Sequence, residues 1–251
     1  MAKQAKYDQN STKHGKHNQK ATVYDINSLT KKSPPSTKDV RPIPRNVAQE
    51  EYVQYLNNES VRLVFGTGPA GTGKTLLATL KAIQLFLEGH VTKIIITRPA
   101  VAVDGESHGF LPGDIFAKLE PWTKPILDVF LKFFSHSQIA DMIDTDVLEI
   151  CPLGFMRGRT FDNAVLLLDE AQNSTDVQMK MFLTRIGTGT RAFITGDLEQ
   201  SDREKGINGL EDFARRANDR APDSIKFVNF QRKDVERDAI VETVLALYED
   251  E

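Results

Sequence analysis

The stretch Gly68-Pro69-Ala70-Gly71-Thr72-Gly73-Lys74-Thr75 constrains this chain more than any other. It fits the pattern of a Gly, four free positions, then Gly-Lys-Thr, which cradles the phosphates of a nucleotide. The run Val61-Arg62-Leu63-Val64-Phe65 before it reads as a buried strand, and Leu76 to Leu87 after it reads as a helix. Glycines let the main chain wrap so that several N–H groups face one polyphosphate, and the new helix adds its positive end. Gly68, Pro69, Ala70, Gly71, Thr72 and Gly73 would form that cradle, with Lys74 on the β and γ phosphates and the Thr75 hydroxyl on Mg2+.

Strands and helices alternate along the rest of the chain. Strands are expected at Lys93–Arg98, Val147–Cys151, Ala164–Leu168, Arg191–Thr195 and Ile225–Phe230. Helices are expected at Asn46–Leu56, Val177–Ile186, Gly209–Arg216 and about Lys233–Tyr248, the last capped by Asp234. Such alternation predicts an α/β fold, a parallel sheet sandwiched by helices, with a ligand crevice at the strand C-termini. The span Ala100–Asp146, rich in Gly and Pro, reads as helices inserted for a partner or substrate, Asp128–Phe134 being one of them.

Charge divides the chain. Residues 1–45 hold 10 Lys and Arg against 3 Asp and Glu, whereas the remainder holds 22 against 32. The first segment has almost no apolar cluster beyond Val23-Tyr24-Asp25-Ile26, so a disordered basic arm is expected before a folded domain over residues 46–251. Cys151 is the only cysteine, so no intrachain disulfide can form, and the five histidines show no zinc spacing with it. With no apolar leader and no stretch long enough to span a membrane, a cytoplasmic protein is expected.

Asp169-Glu170 ends the apolar run Ala164–Leu168, a place where two carboxylates serve chemistry at a strand's C-terminal end. Asp169 is placed to hold Mg2+ and Glu170 to polarise an attacking water. Asp197 and Gln200, after the next strand, are candidate sensors of the terminal phosphate. Gln49, one short helix upstream of the glycine loop, can offer a donor and an acceptor to an adenine edge, which favours ATP as the nucleotide. Arg232 and Arg237 lie beyond the last strand, out of evident reach of their own loop, and read as fingers for a neighbour's site. A P-loop kinase with a lid, or an ATP-gated scaffold, stays open beside an ATPase on these residues alone.

The blocks Gly66–Thr75, Thr97-Arg98-Pro99-Ala100, Gly109-Phe110-Leu111-Pro112-Gly113-Asp114, Pro152–Thr160, Leu168-Asp169-Glu170-Ala171-Gln172-Asn173, Met179–Gly187 and Thr195-Gly196-Asp197 together resemble the PhoH family of P-loop ATPases. The resemblance runs from about Asn46 to the C-terminus. It implies a RecA-like core related to superfamily 1 helicases, ATP hydrolysis, a role in RNA metabolism and a homo-oligomeric ring, a hexamer. Where the family commonly shows Asp-Val-Val-Arg-His, this chain has Asp234-Val235-Glu236-Arg237-Asp238. With single-stranded RNA as the implied partner, Arg98, Arg157 and Arg159 become candidate contacts, since Arg pairs with phosphate and stacks on bases. Their alternative is a structural ion pair.

Overall fold

The computed structural model describes residues 40–99, 115–200, 208–218 and 220–236, together with 240, 241 and 244 of a C-terminal helix. The basic arm up to residue 39, the glycine-rich stretch 100–114 and Arg237 lie outside the described residues. Val40, expected within the arm, is buried in the core.

Six strands form one sheet: β1 (Leu63–Thr67), β2 (Lys93–Arg98), β3 (Leu148–Pro152), β4 (Ala164–Leu168), β5 (Arg191–Gly196) and β6 (Ile225–Asn229). Their order is β3-β2-β4-β5-β1-β6, and every neighbouring pair is parallel. A parallel sheet is covered on both faces, so its strands are apolar throughout. All five residues of β4 are buried, and each buried Val or Leu there contributes about 1.5–3 kcal/mol of transfer free energy.

Alternation splits the strands between two cores. Val64, Ile94, Ile96, Val165, Leu167 and Phe193 face α1 (Val47–Asn57), α2 (Lys74–Leu87), α3 (Ile115–Phe130) and α4 (His136–Asp144). Phe65, Ile95, Leu166, Leu168 and Ile194 face α5 (Asp176–Leu183) and α6 (Gly209–Ala217). This is the α/β sandwich that the alternating pattern predicts, and it agrees with a RecA-like P-loop domain.

Helix starts follow side-chain caps. The Asn46 side chain accepts from Gln49 N, while Ser135 and Thr175 each form a capping box with the Gln three residues on. Two expectations fail. The insertion holds helices as expected, but none has the bounds Asp128–Phe134: α3 runs through Pro121 and Pro125 and ends at Phe130, and α4 begins at His136. Nor does the C-terminal helix start at Lys233. Arg232–Asp234 is one 3-10 turn in which the Asp234 side chain accepts from Gln231 N, and Glu236 N donates to Gly71 O.

Glu149 on edge strand β3 receives both ends of the Arg159 guanidinium, with Nη2 to Oε2 at 2.8 Å, and also Lys93 at 3.4 Å. The Arg159 hydrogen bond holds its carboxyl below the ordinary value of 4.5. A carboxyl depressed on folding gives stability that is complete above the ordinary value and disappears as pH falls through the depressed one. Arg159→Ala should therefore lower stability by about 1 kcal/mol at neutral pH, a figure reduced by the exposure of the arginine. The two proteins should converge in acid, and urea unfolding between pH 3 and 7 reads both outcomes.

Candidate active site

Strand β5 lies between β1 and β4, so the loop after β1 and the carboxylates after β4 stand on either side of the end of β5. Asp169 continues the Val165–Leu167 side of β4, and Thr195 continues the Phe193 side of β5, both toward α2. Thr75 Oγ1 donates to Asp169 Oδ1 at 2.9 Å, and Thr195 Oγ1 donates to the same oxygen at 2.6 Å. Thr195, marked in the sequence only as part of the block Thr195-Gly196-Asp197, is thus a member of the site.

Ala70, Gly71, Gly73, Lys74, Thr75, Asp169, Glu170, Asp197 and Gln200 line one cavity of about 300 Å3. Nine of the residues expected at the site are thus brought together by the fold. Gly68 and Pro69 border a neighbouring cavity of about 140 Å3 that also holds Asp197 and Arg232. Arg232 therefore sits beside its own chain's loop, against the expectation of a long reach, because the 3-10 turn after β6 folds back toward β1.

Loop geometry explains the glycine at position 68. Its φ is +125°, and a Cβ there would stand 2.1 Å from the Phe230 carbonyl oxygen. Thr72 is buried, with its hydroxyl donating to Pro69 O at 3.0 Å. Lys74 folds onto the loop itself, donating to Gly68 O and Pro69 O at 2.6 Å and to Thr72 Oγ1 at 3.1 Å. Burial pushes the Lys74 amine below its ordinary range, and the carboxylates of Asp197, Glu170 and Asp169 oppose that shift.

Glu170 adopts a left-handed conformation, φ 52° and ψ 42°, which costs a non-glycine residue about 1–3 kcal/mol. No side-chain cap bond accompanies the 3-10 turn Ala171–Asn173 that follows, and α5 is capped by Thr175 instead. The strain thus serves neither helix. It turns a half-buried carboxylate toward the cavity, with Arg98 at 4.0 Å and Gln172 Nε2 donating at 2.6 Å. Asp197 is buried, and its Oδ1 accepts the Glu199 N–H at 3.0 Å.

Gln49 has a task other than the expected adenine contact. Its Nε2 donates to Thr72 O at 3.0 Å and its Oε1 accepts from Arg45 N at 2.8 Å, so the amide ties the loop to the chain just before α1. Of the three arginines expected on RNA, Arg159 is held by Glu149 and stacks 4.6 Å from the Phe161 ring centre, while Arg98 faces Glu170. Arg157 is exposed, two residues from the exposed Phe155. Cys151 is buried, which pushes its thiol up to about 12 and leaves it unreactive.

Comparison with known proteins agrees with this geometry. The family described as PhoH-like protein matches residues 42–249. The chain belongs to the PhoH-like protein family. It is 42% identical over 205 residues to a PhoH-like protein of Bacillus subtilis, covering 82% of this chain and 63% of the relative. It is 40% identical over 216 residues to Protein PhoH of Escherichia coli K12, covering 84% and 60%. A PhoH-like protein of Mycobacterium tuberculosis H37Rv is 40% identical over 213 residues, covering 82% and 57%. The chain thus spans about three-fifths of the length of the curated relatives it matches. PhoH membership and the loop together support a nucleotide-binding, P-loop ATPase-like protein. No helix of the described residues is long and apolar enough to cross a membrane.

Proposed function

We propose that this PhoH-like chain binds ATP with Mg2+ and hydrolyses it, and that hydrolysis is coupled to single-stranded RNA in an oligomeric ring. The observation that carries the hydrolytic part is one cavity holding Lys74, Thr75, Asp169 and Glu170, with Thr75 and, from outside the cavity, Thr195 both donating to Asp169. The site residues fit Mg2+. Thr75 and Asp169 offer two hard oxygens, and the described residues contain no cluster of three or more His, Cys, Asp or Glu side chains. That donor set suits an ion that takes one or two protein ligands and fills its octahedron with phosphate oxygens and water. When bound, the ion neutralises charge on the β and γ phosphate oxygens.

The chain's own groups do the rest. Loop amides fix the polyphosphate, and Lys74 exchanges its carbonyl partners for phosphate oxygens. Glu170 orients the attacking water and accepts its proton, which favours hydrolysis over a kinase reaction, since a kinase must exclude water. Among the described residues lining the cavity, Lys74 is the only cation. An arginine supplied by a neighbour would raise the rate by about 10³–10⁵, and Arg237 is the candidate. The RNA part is supported by the exposed pair Phe155 and Arg157, with Lys180 exposed on the adjoining helix α5, a combination that can stack bases and meet phosphates.

Steady-state phosphate release tests the whole reading. Release should require Mg2+, rise on adding single-stranded RNA, and show a specific activity that climbs with protein concentration. Absence of release would overturn the hydrolytic reading. Release indifferent to RNA or to dilution would remove the coupling or the shared site respectively.

A further inference from the structure

We propose that Gln172 is a positioning residue that holds the Glu170 carboxylate and ties its orientation to the main chain at Asp197. The proposal rests on the hydrolytic reading above and deepens it. Gln172 sits in the 3-10 turn after β4 and is only 2% exposed, yet its side chain crosses to the end of β5. Its Oε1 accepts the Asp197 N–H at 3.0 Å while its Nε2 donates to Glu170 Oε2 at 2.6 Å.

Chemistry alone fixes which way this amide faces. A backbone N–H can only donate and a carboxylate can only accept, so the oxygen must meet Asp197 and the nitrogen must meet Glu170. The crossing also depends on its neighbour. A Cβ at Gly196 would stand 2.7 Å from Gln172 Oε1 and 2.7 Å from Leu210 Cδ2, so a side chain there would displace the amide. Glycine at 196 and glutamine at 172 thus form one device.

Glu170 has two tethers, Arg98 at 4.0 Å and the shorter bond to Gln172. Gln172 also touches the segment Asp197–Gln200, two members of which, Asp197 and Gln200, line the phosphate cavity. A displacement of the Asp197 main chain therefore pulls on the amide that aims Glu170. Gln172 acts through Glu170 and does not itself line the cavity.

The test is kinetic. Gln172→Met keeps length without hydrogen bonds. Gln172→Glu keeps the acceptor but loses the donor. Single-turnover hydrolysis should fall about 10- to 100-fold in both, the scale of a misplaced catalytic group, while affinity for a fluorescent ATP analogue stays within about twofold. Gly196→Ala, at a residue that itself lines the cavity, should also lower the rate with Gln172 intact in sequence. In a Glu170→Gln background, Gln172→Met should cause almost no further loss, because two residues acting as one unit are not additive. Wild-type rates in both Gln172 variants, or rate and affinity falling together, would overturn the proposal. If the wild-type chain itself releases no phosphate, the hydrolytic reading falls and this proposal falls with it. Wild-type turnover with unaffected variants sinks this proposal alone.

Discussion

Glu170→Gln is expected to lower phosphate release by about 10²–10⁴ while nucleotide affinity stays close to that of the wild type. The amide keeps the volume of the carboxylate and can still sit near Arg98 and Gln172, but it cannot accept the proton of an attacking water. Lys74, Thr75, Asp169 and the loop amides, which hold the nucleotide in the proposed function, are untouched. Measuring binding of a fluorescent ATP analogue beside phosphate release separates the two effects. Joint loss of binding and release would assign Glu170 to holding the nucleotide. Undiminished release would move the proton-accepting role to Asp197, the buried carboxylate on the cavity.

The largest stability effect is expected at Arg191, far from the chemistry. Its guanidinium, 8% exposed, donates to Leu56 O at 2.8 Å, Val61 O at 2.9 Å, and Tyr55 O and Asn58 O at 3.1 Å. These carbonyls close the end of α1 and the turn into β1, so one side chain at the start of β5 anchors both. Burial lowers its pKa to about 10, so it remains charged at neutral pH. Arg191→Met removes four charge-assisted bonds and leaves the carbonyls to find other donors. A loss of about 3 kcal/mol is expected, or about 6–12 °C in Tm for a domain of this size. Thermal unfolding checks it, and a change under 2 °C would show that water replaces the guanidinium without cost.

The glycine loop and the two carboxylates were legible because their chemistry demands fixed residue types at short spacing. Gly68 to Thr75 and Asp169-Glu170 each carry their meaning within a few positions, and strands such as Ala164–Leu168 announce themselves by continuous burial. What stayed hidden depends on contacts across the chain. Gln49 reads in sequence as a free amide, whereas both its ends are bonded to main-chain groups. Arg159 reads as a candidate for nucleic acid until β3 brings Glu149 to it. Thr195 and Gln172 fall within the blocks that carry the family resemblance, but their contacts come from the ordering of β4, β5 and β1, which no local pattern encodes. The helix α3 escaped notice because Pro121 and Pro125 are breakers by propensity, and here the helix continues past both.

Lys74 is held within its own loop. Bonded to two carbonyl oxygens and a hydroxyl of its own loop, it gives the turn an internal counter-charge. Under the proposed function, an incoming polyanion must win the ammonium away from these oxygens, so that affinity would report the difference between two sets of partners rather than the strength of one. The loop is in this sense a lock that already contains a substitute key.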